Sequence, residues 1–338
     1  MFPPLKLSWK FPHVAWRALR HDDAFWPTLG LSIALTSSFG FAVTALLSGN
    51  LIVWVFGVLL LAQGLVWCAY LIHDLTHQAL FRQQKHNDRL GFALCFLIGA
   101  CYGRYQDLRR KHMRHHVQRA DVVAVDYRRF LSRHPLIRQI VEVLEWAYIP
   151  AIDIIMHGLV MVAPFVMDEY RSLRRYTAAM LVFRLSAFAL ICVWFPAVAL
   201  GYVLAYVLMI HVLRFMDMHQ HTYDVVYADE LTSATRPSVD YERQNTYSNP
   251  LGDHRWLNFL VLNFGYHNAH HERPTAPWYQ LPELHRQLYG NKNQAFEAKH
   301  VLTNYHRYRV SRVMSDSVLP DQKPGFTGLV GVSFLTTL

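Results

Sequence analysis

The sequence predicts an all-α integral membrane protein with four transmembrane helices in two hairpins and a cytosolic helical cap that carries clustered histidines. Of the 338 residues, 53% are hydrophobic and 17% are charged, a composition too apolar for an ordinary soluble enzyme. Four apolar stretches reach about 20 residues, the length that a helix needs to cross the hydrocarbon core. Twenty histidines are present, and many of them are grouped outside those stretches.

The four predicted spans cover residues 29–49, 51–72, 177–195 and 196–215. Gly49 and Asn50 separate the first two spans, and Pro196, a helix breaker, separates the last two, so each pair is predicted to form a tight hairpin. Arg184 is a charged residue inside the third span. The sequence is interpreted as one membrane-embedded domain, 1–338, with a cap formed by residues 73–176 and 216–338.

Three other apolar stretches need a different assignment. Residues 90–103 and 256–265 are too short to span a bilayer, so we expect re-entrant or interfacial segments. Residues 144–167 are long enough, but Asp153, His157 and Pro164 interrupt them. Because charge inside a membrane is costly, we expect an interfacial or partly sunken helix there.

Two hairpins with non-spanning segments between them place residues 1–28, 74–176 and 216–338 on one side of the membrane. The basic clusters lie in these segments: Arg82, Lys85, Arg89, Arg104, Arg109, Arg110, Lys111, Arg114, Arg171, Arg174 and Arg175. The positive-inside rule makes this side, with both termini and the histidine clusters, cytoplasmic. The net charge of +9 is therefore attributed to loops that face anionic lipid, and no nucleic-acid partner is expected.

Three compact histidine groups lie on that side: His73-Asp-Leu-Thr-His77, His112-Met-Arg-His115-His116 and His267-Asn-Ala-His270-His271. His73 and His77, four residues apart, share one face of a helix. In the other two groups the residues three apart share a face of a helix, and we expect the adjacent third imidazole, about 100° round the helix, to reach a neighbouring metal. A single such motif is commonly surface decoration, but three on one side of a membrane indicate a site for two metals.

Imidazole nitrogens favour iron, zinc, copper or nickel over calcium or magnesium. The four cysteines, Cys68, Cys95, Cys101 and Cys192, all lie in apolar stretches, which argues against a structural zinc site or a disulfide framework. Just after the fourth span, His221 is a further candidate ligand, and the role of nearby His219 is left open.

These groups resemble the histidine boxes of the membrane fatty acid desaturase and hydroxylase superfamily, in their order and in the segments Asn263-Phe-Gly-Tyr-His-Asn-Ala-His-His-Glu-Arg-Pro and Trp278-Tyr-Gln-Leu-Pro-Glu-Leu-His285. The resemblance runs from about Leu51 to Tyr289. It implies a di-iron centre that uses O2 as co-substrate and takes a lipid or fatty acyl substrate. The implied iron ligands are His73, His77, His112, His115, His116, His221, His267, His270 and His271.

Within that superfamily, a fatty acyl desaturase is the leading hypothesis. The boxes leave open a lipid hydroxylase, a carotenoid ketolase or hydroxylase, and a decarboxylating oxidase that forms terminal alkenes. A membrane protein that binds or transports a transition metal is a non-enzymatic alternative. We disfavour it because transport predicts polar ligands along a path through the membrane, whereas these clusters gather on one side.

Further hypotheses concern the surroundings of the metals. Asp74, Asp217 and Glu272 adjoin predicted ligands and are candidates to orient imidazoles; Trp67, Tyr70 and Tyr102 are candidates to line a lipid tunnel. The sequence carries no dinucleotide, iron–sulfur or haem motif, so we expect a separate ferredoxin-, rubredoxin- or cytochrome-like electron donor. The basic residues Arg104, Arg109, Arg110 and Arg114 would either dock that donor or face anionic lipid.

Overall fold

The computed structural model describes residues 18–123, 125–217, 219–223, 225–227, 237–252, 254–290, 295–314 and 334–336. Its helices, in chain order, are α1 (Phe25–Leu46), α2 (Leu51–Thr76), α3 (Gln84–Ile98), α4 (Tyr105–Gln118), α5 (Tyr127–Arg133), α6 (Pro135–Trp146), α7 (Ala151–Val166), α8 (Arg174–Trp194), α9 (Pro196–Asp217), α10 (Val239–Asn245), α11 (Arg255–Leu260), α12 (His267–Glu272), α13 (Leu281–Tyr289), α14 (Ala298–Tyr308) and α15 (Ser311–Met314). Two short strands, β1 (Asp121–Val123) and β2 (Val225–Tyr227), pair in parallel.

Within the described residues, four helical stretches are long and apolar enough to cross a membrane: Phe25–Leu46, Leu51–Thr76, Asp168–Trp194 and Pro196–Asp217. The predicted all-α membrane class is confirmed. Helix ends differ from the predicted bounds by a few residues. The first helix begins at Phe25 because Pro27 is tolerated in the first turn, and the third is extended toward its N-terminus by a 3₁₀ helix, Asp168–Leu173.

The first hairpin is tight at both its turn and its helix contact. The Asn50 side chain caps α2 by accepting hydrogen bonds from the Ile52 and Val53 amides at 2.9 and 3.2 Å. Gly57 faces α1 so closely that a Cβ there would lie 2.9 Å from Ala45 Cβ and 3.1 Å from the Leu46 amide nitrogen. Small residues therefore set the spacing of α1 and α2, as is common between membrane helices.

Helix α2 lies at the centre of the apolar core, packed against α1, α3 and α9. Its C-terminal half is buried almost continuously from Gly64 to Thr76. In contrast, α8 exposes large apolar side chains such as Val182, Phe183 and Val193, which is the pattern of a lipid-facing helix. The apolar core therefore extends along α2 as far as its C-terminal end, at Thr76.

Arg184 in α8 caps the short apolar helix α3. Its guanidinium donates to the Phe96 carbonyl in the last turn of α3 and to the Tyr202 hydroxyl, and its Cζ lies 5.2 Å from the centre of the Phe96 ring. Gly99, with φ of 85°, then ends α3 in the left-handed conformation. Arg184, the charged residue inside the third predicted span, therefore donates a hydrogen bond to a carbonyl at the C-terminal end of α3.

The predicted interfacial stretch 144–167 is divided between α6 and α7, which are separated around Tyr148, a residue with φ of 61°. Asp153 in α7 and Glu145 in α6 both form salt bridges with Arg214 near the end of α9. All three residues are at most 6% exposed. His157, the other polar interruption, lies 2.7 Å from the Tyr206 hydroxyl of α9. These polar groups hold α6 and α7 against the end of the fourth span.

Candidate metal centre

The first predicted histidine pair lies at the end of α2. The helix continues to Thr76, so His73 falls in its last turn and His77 is its C-cap residue. Both imidazoles are buried, with residue exposures of 1% and 4%. The longest apolar helix of the core therefore delivers two imidazoles to the point where it enters the cap.

The second group lies on α4, and its geometry differs from the prediction. His112 and His116, four residues apart, join the α2 pair, whereas His115 points to a different set of imidazoles. The imidazole that reaches the other set is His115, and the expectation that it would be His116 was wrong. Residues four apart differ by about 40° around a helix, and residues three apart by about 60°, so the former align more closely.

The third group occupies the short helix α12, where the same correction applies. His267 and His271 belong to one set of imidazoles and His270 to the other. Gly265, just before α12, packs against the Asn249 backbone, and a Cβ there would lie 2.9 Å from the Asn249 carbonyl oxygen. The Asn249 amide donates to the Gly265 carbonyl at 2.8 Å. A residue without a side chain is therefore needed for α12 to reach this position.

All nine predicted ligand histidines come together in two sets. In each set, the candidate ligand nitrogens lie within 4.8 Å of one another. Within the described residues, the first set is His73, His77, His112, His116 and His270, and the second is His115, His221, His267 and His271. We call these the five-histidine set and the four-histidine set.

The Nε2 atoms of neighbouring rings are in close contact. In the five-histidine set, His77 Nε2 lies 2.7 Å from His112 Nε2, and His116 Nε2 lies 3.3 Å from His270 Nε2. In the four-histidine set, His221 Nε2 lies 2.7 Å from His267 Nε2 and 3.1 Å from His115 Nε2. Such convergence of lone-pair nitrogens from separate elements is the arrangement expected around metal ions.

Burial keeps these imidazoles neutral, which is the form that binds a metal. Loss of solvation lowers the pKa of His115 to about 4. For His112, His116 and His270, desolvation comes first and the neighbouring imidazoles add to it, and the pKa falls well below its usual value. At neutral pH each ring therefore offers a lone pair rather than a positive charge.

Glu242 of α10 orients one of these rings. Its Oε1 lies 3.0 Å from His271 Nδ1, and its Oε2 accepts a hydrogen bond from Arg119 Nε at 2.5 Å. A carboxylate at Nδ1 fixes the tautomer that leaves Nε2 free for a metal. The sequence analysis missed Glu242 because 29 residues separate it from His271, and no local spacing marks the contact.

The three carboxylates that the sequence proposed as partners of the imidazoles, Asp74, Asp217 and Glu272, make different contacts from that of Glu242. Asp74 Oδ1 lies 3.8 Å from His73 Nδ1, and Asp74 Oδ2 accepts from the Trp278 amide at 2.8 Å. Glu272 pairs with Arg243. Asp217 is largely buried, and within the described residues its Oδ1 has no hydrogen-bond partner. A residue not proposed from sequence, Asp121 in β1, lies 3.6 Å from His115 Nδ1.

His219, whose role the sequence left open, lies outside both histidine sets. It is fully buried, and its Nε2 lies 3.4 Å from Arg312 Nη1. His221 instead belongs to the four-histidine set, and its backbone forms an isolated antiparallel bridge with Thr246, the residue after α10. Of these two histidines, only two positions apart, His221 is therefore a candidate ligand and His219 is not.

Comparison with known proteins agrees with this geometry. A family model for fatty acid desaturases matches residues 48–298, about three quarters of the chain. The chain belongs to the fatty acid desaturase family. Among curated proteins, none matches it. The family and the buried histidine sets together indicate a metal cofactor and a membrane lipid oxidase.

In this desaturase-family chain, one of the three aromatic residues predicted to line a tunnel, Tyr70, is linked to the histidine sets through a single aromatic ring. Tyr70 packs against Phe264 with ring centres 4.5 Å apart, and Phe264 in turn lies 4.9 Å from His73. Trp67, one turn earlier, donates from Nε1 to the Phe259 carbonyl at 3.0 Å. Tyr102 lies instead near Arg184, whose Cζ is 5.9 Å from its ring centre.

The basic residues on α4 of this desaturase-family chain remain accessible. Arg104, Arg110 and Arg114 are exposed. Arg109 pairs with Asp88 at 3.4 Å and Arg110 with Asp107 at 3.1 Å, so part of the charge is balanced. The same helix carries His112, His115 and His116, so the exposed arginines and three of the candidate ligands share one helix.

Proposed function

We propose that the chain is a membrane-bound fatty acyl desaturase that uses two irons and O2 to introduce a double bond into an acyl chain. The observation that carries the proposal is the meeting of nine imidazoles, eight of them buried and His115 partly buried, in two sets at the end of an apolar helix in a member of the desaturase family. Breaking an unactivated methylene C–H bond is beyond any side-chain acid or base, so a metal must activate O2.

The five-histidine set would hold one iron and the four-histidine set the other. Imidazole nitrogen suits iron, and the two sets consist of histidines, with the Glu242 carboxylate within 4.8 Å of one histidine from each set, His116 and His271. When bound, the iron pair supplies the oxidising power for removing two hydrogens from adjacent carbons. These two hydrogens, two external electrons and two protons reduce one O2 to two water molecules, which balances the reaction.

The chain's own residues orient the ligands and exclude water. Glu242 holds His271 Nδ1, and the Ala120 carbonyl accepts from His115 Nδ1 at 3.0 Å. Phe264 covers His73 and His267, with ring centres 4.9 and 5.1 Å away. An apolar cover on this side favours a lipid chain over water, and restricting water prevents loss of the oxidising species to side reactions.

The two external electrons would come from a separate ferredoxin-, rubredoxin- or cytochrome-like protein. The exposed arginines of α4, Arg104, Arg110 and Arg114, offer positive charge to an acidic donor. The same cationic surface supports a cytoplasmic orientation for the cap, as the positive-inside rule expects.

Product analysis tests the proposal. The purified protein is reconstituted with iron, an electron-donor system and candidate acyl lipids, and the products are resolved by mass spectrometry. A loss of two mass units from an acyl chain, absent in the His270→Ala protein, is the expected result. An added oxygen atom would replace desaturation with hydroxylation or ketolation, and a lost carboxyl group would indicate alkene formation. Unchanged lipids together with metal uptake into vesicles would overturn the enzymatic proposal.

A further inference from the structure

The segment Phe334–Thr336 lies inside the protein, next to the histidine sets. Leu335 is 3% exposed and Thr336 is fully buried, and Leu335 belongs to the same apolar core as α2 and α4. Lys111, the residue before His112, donates from Nζ to Thr336 Oγ1 at 2.8 Å. A stretch far from the histidine boxes in sequence is therefore held against the helix that carries the second box.

Phe334 lies directly beside two residues of the five-histidine set. Its ring centre is 5.4 Å from that of His73 and 6.2 Å from that of His112. It is also about 6.1 Å from the rings of Tyr70 and Phe264. Three aromatic rings, Tyr70, Phe264 and Phe334, thus form one group against the imidazoles, in which the buried Tyr70 hydroxyl is the one polar side-chain atom.

This group lies on the side of the imidazoles from which a lipid chain must approach. Tyr70 precedes His73 by one turn in α2, toward the interior of the membrane span. A chain that entered along α2 would pass Tyr70 and Phe264, and the Phe334 ring lies 6.1 Å from both. Apolar surface at this position is what an acyl chain requires, whereas polar ligands would need hydrogen-bonding partners there.

We propose that Phe334–Thr336 forms a wall of the acyl-binding site and that Phe334 determines which carbons of the chain face the metals. The inference rests on the proposed function, because it specifies how that substrate is positioned. Lys111 fixes the segment through Thr336, so the position of Phe334 is tied to α4 and hence to His112. Shortening the side chain at 334 would let the acyl chain move relative to the imidazoles.

The first test compares Phe334→Leu and Phe334→Ala with wild type. A matched control is Phe130→Ala, which removes a 46% exposed ring in α5. The Phe334 variants are expected to keep wild-type iron content but to shift the double-bond position or change the kcat/KM ratio between two chain lengths by about tenfold or more. The Phe130 variant is expected to leave both unchanged. Unchanged product position and chain-length preference in both Phe334 variants would overturn the proposal.

A second test measures the placement of the segment without any catalysis. In a Cys192→Ser background the other three cysteines are buried, so an introduced cysteine can be followed with a maleimide. Leu335→Cys is expected to react at least about tenfold more slowly than Gln106→Cys, an exposed position in α4. Equal rates would show that the segment is not seated in the core. If labelling is slow but no lipid is converted, the proposed function fails while the placement stands.

Discussion

At the scale of single residues, His270 tests the metal centre most directly. It belongs to the five-histidine set although its neighbours His267 and His271 belong to the other, and it is 1% exposed. His270→Ala removes one proposed ligand without cutting any backbone contact between spans. We expect loss of turnover and loss of bound iron, measured by product analysis and metal content. The protein should still insert into the membrane.

The control for this variant is His300→Ala, which changes an exposed histidine in α14. It should retain wild-type iron and turnover. A His270→Ala protein with full iron content would contradict the assignment of that residue as a ligand.

Glu242 tests whether the contact at Nδ1 matters for metal binding. Glu242→Ala removes the partner of His271 and leaves Arg119 without its carboxylate. Loss of such a partner typically weakens metal affinity or activity by about 10- to 100-fold. Iron loss during titration with a chelator should therefore begin at a correspondingly lower chelator concentration. Glu272→Ala, which breaks the pair with the more exposed Arg243, should behave like wild type, and equal effects of the two variants would contradict the positioning role.

At the scale of helices, the buried ion pairs of Arg214 hold α9 to α6 and α7. Arg214→Leu would leave Glu145 and Asp153 as buried carboxylates without their cation. Breaking a buried pair in this way costs about 3–5 kcal/mol. We expect a clear fall in the thermal unfolding midpoint in detergent, measured by intrinsic fluorescence.

Two matched variants make this test specific. Adding Glu145→Gln and Asp153→Asn to Arg214→Leu removes the unpaired charges and should recover part of the lost stability. Arg138→Leu breaks an exposed pair with Glu142, which is worth about 0–1 kcal/mol, and should change the midpoint little. An Arg214→Leu protein as stable as Arg138→Leu would contradict the role of the buried pairs.

The elements also show how far the sequence alone could lead. The long apolar runs and the turns at Asn50 and Pro196 were sufficient to predict the four spanning helices from the sequence, because length and hydrophobicity are local properties. Eight of the histidines were found for the same reason, since each of their three groups is contiguous, and His221 was proposed from its place just after the fourth span. Their division between the two sets was predicted wrongly, because it depends on a difference of about 20° in helical phase. The contact of Glu242 with His271, the β1–β2 pairing and the position of Phe334 depend on tertiary contacts that no local pattern contains.

At the scale of the whole molecule, metal should stabilise the cap, because the two sets join α2, α4, α12 and the segment after α9. Binding of a ligand to the folded state at 100 times its Kd contributes about 2.7 kcal/mol. Removal of iron with a chelator should therefore lower the unfolding midpoint, and re-addition should restore it. In the His270→Ala protein the chelator should have a much smaller effect. Equal midpoints with and without iron in the wild-type protein would contradict a metal centre that links these elements.

The metal-free protein should also lose stability in acid. Burial lowers the pKa of His115 to about 4 in the folded protein, against about 6.5 in an unfolded chain. Between about pH 6.5 and 4 the unfolded state therefore binds more protons, so the free energy of unfolding falls as the pH falls. Denaturant titrations of the chelated protein across this range should show it. A flat profile would mean that these rings are hydrated in the metal-free form.

The orientation of the whole chain can be tested with two introduced cysteines in a Cys192→Ser background. Gly49 lies in the exposed turn between α1 and α2, where an added Cβ meets no atom within 4 Å, whereas Gln106 is exposed on α4 at the other end of the molecule. If the arginines of α4 face the cytoplasm, as the positive-inside rule requires, a membrane-impermeant maleimide should label Gly49→Cys in intact cells and Gln106→Cys after permeabilisation alone. The reverse pattern would place the histidine sets outside the cell, where a cytoplasmic electron donor could not reach them, and both labels from one side would contradict the two-hairpin topology itself.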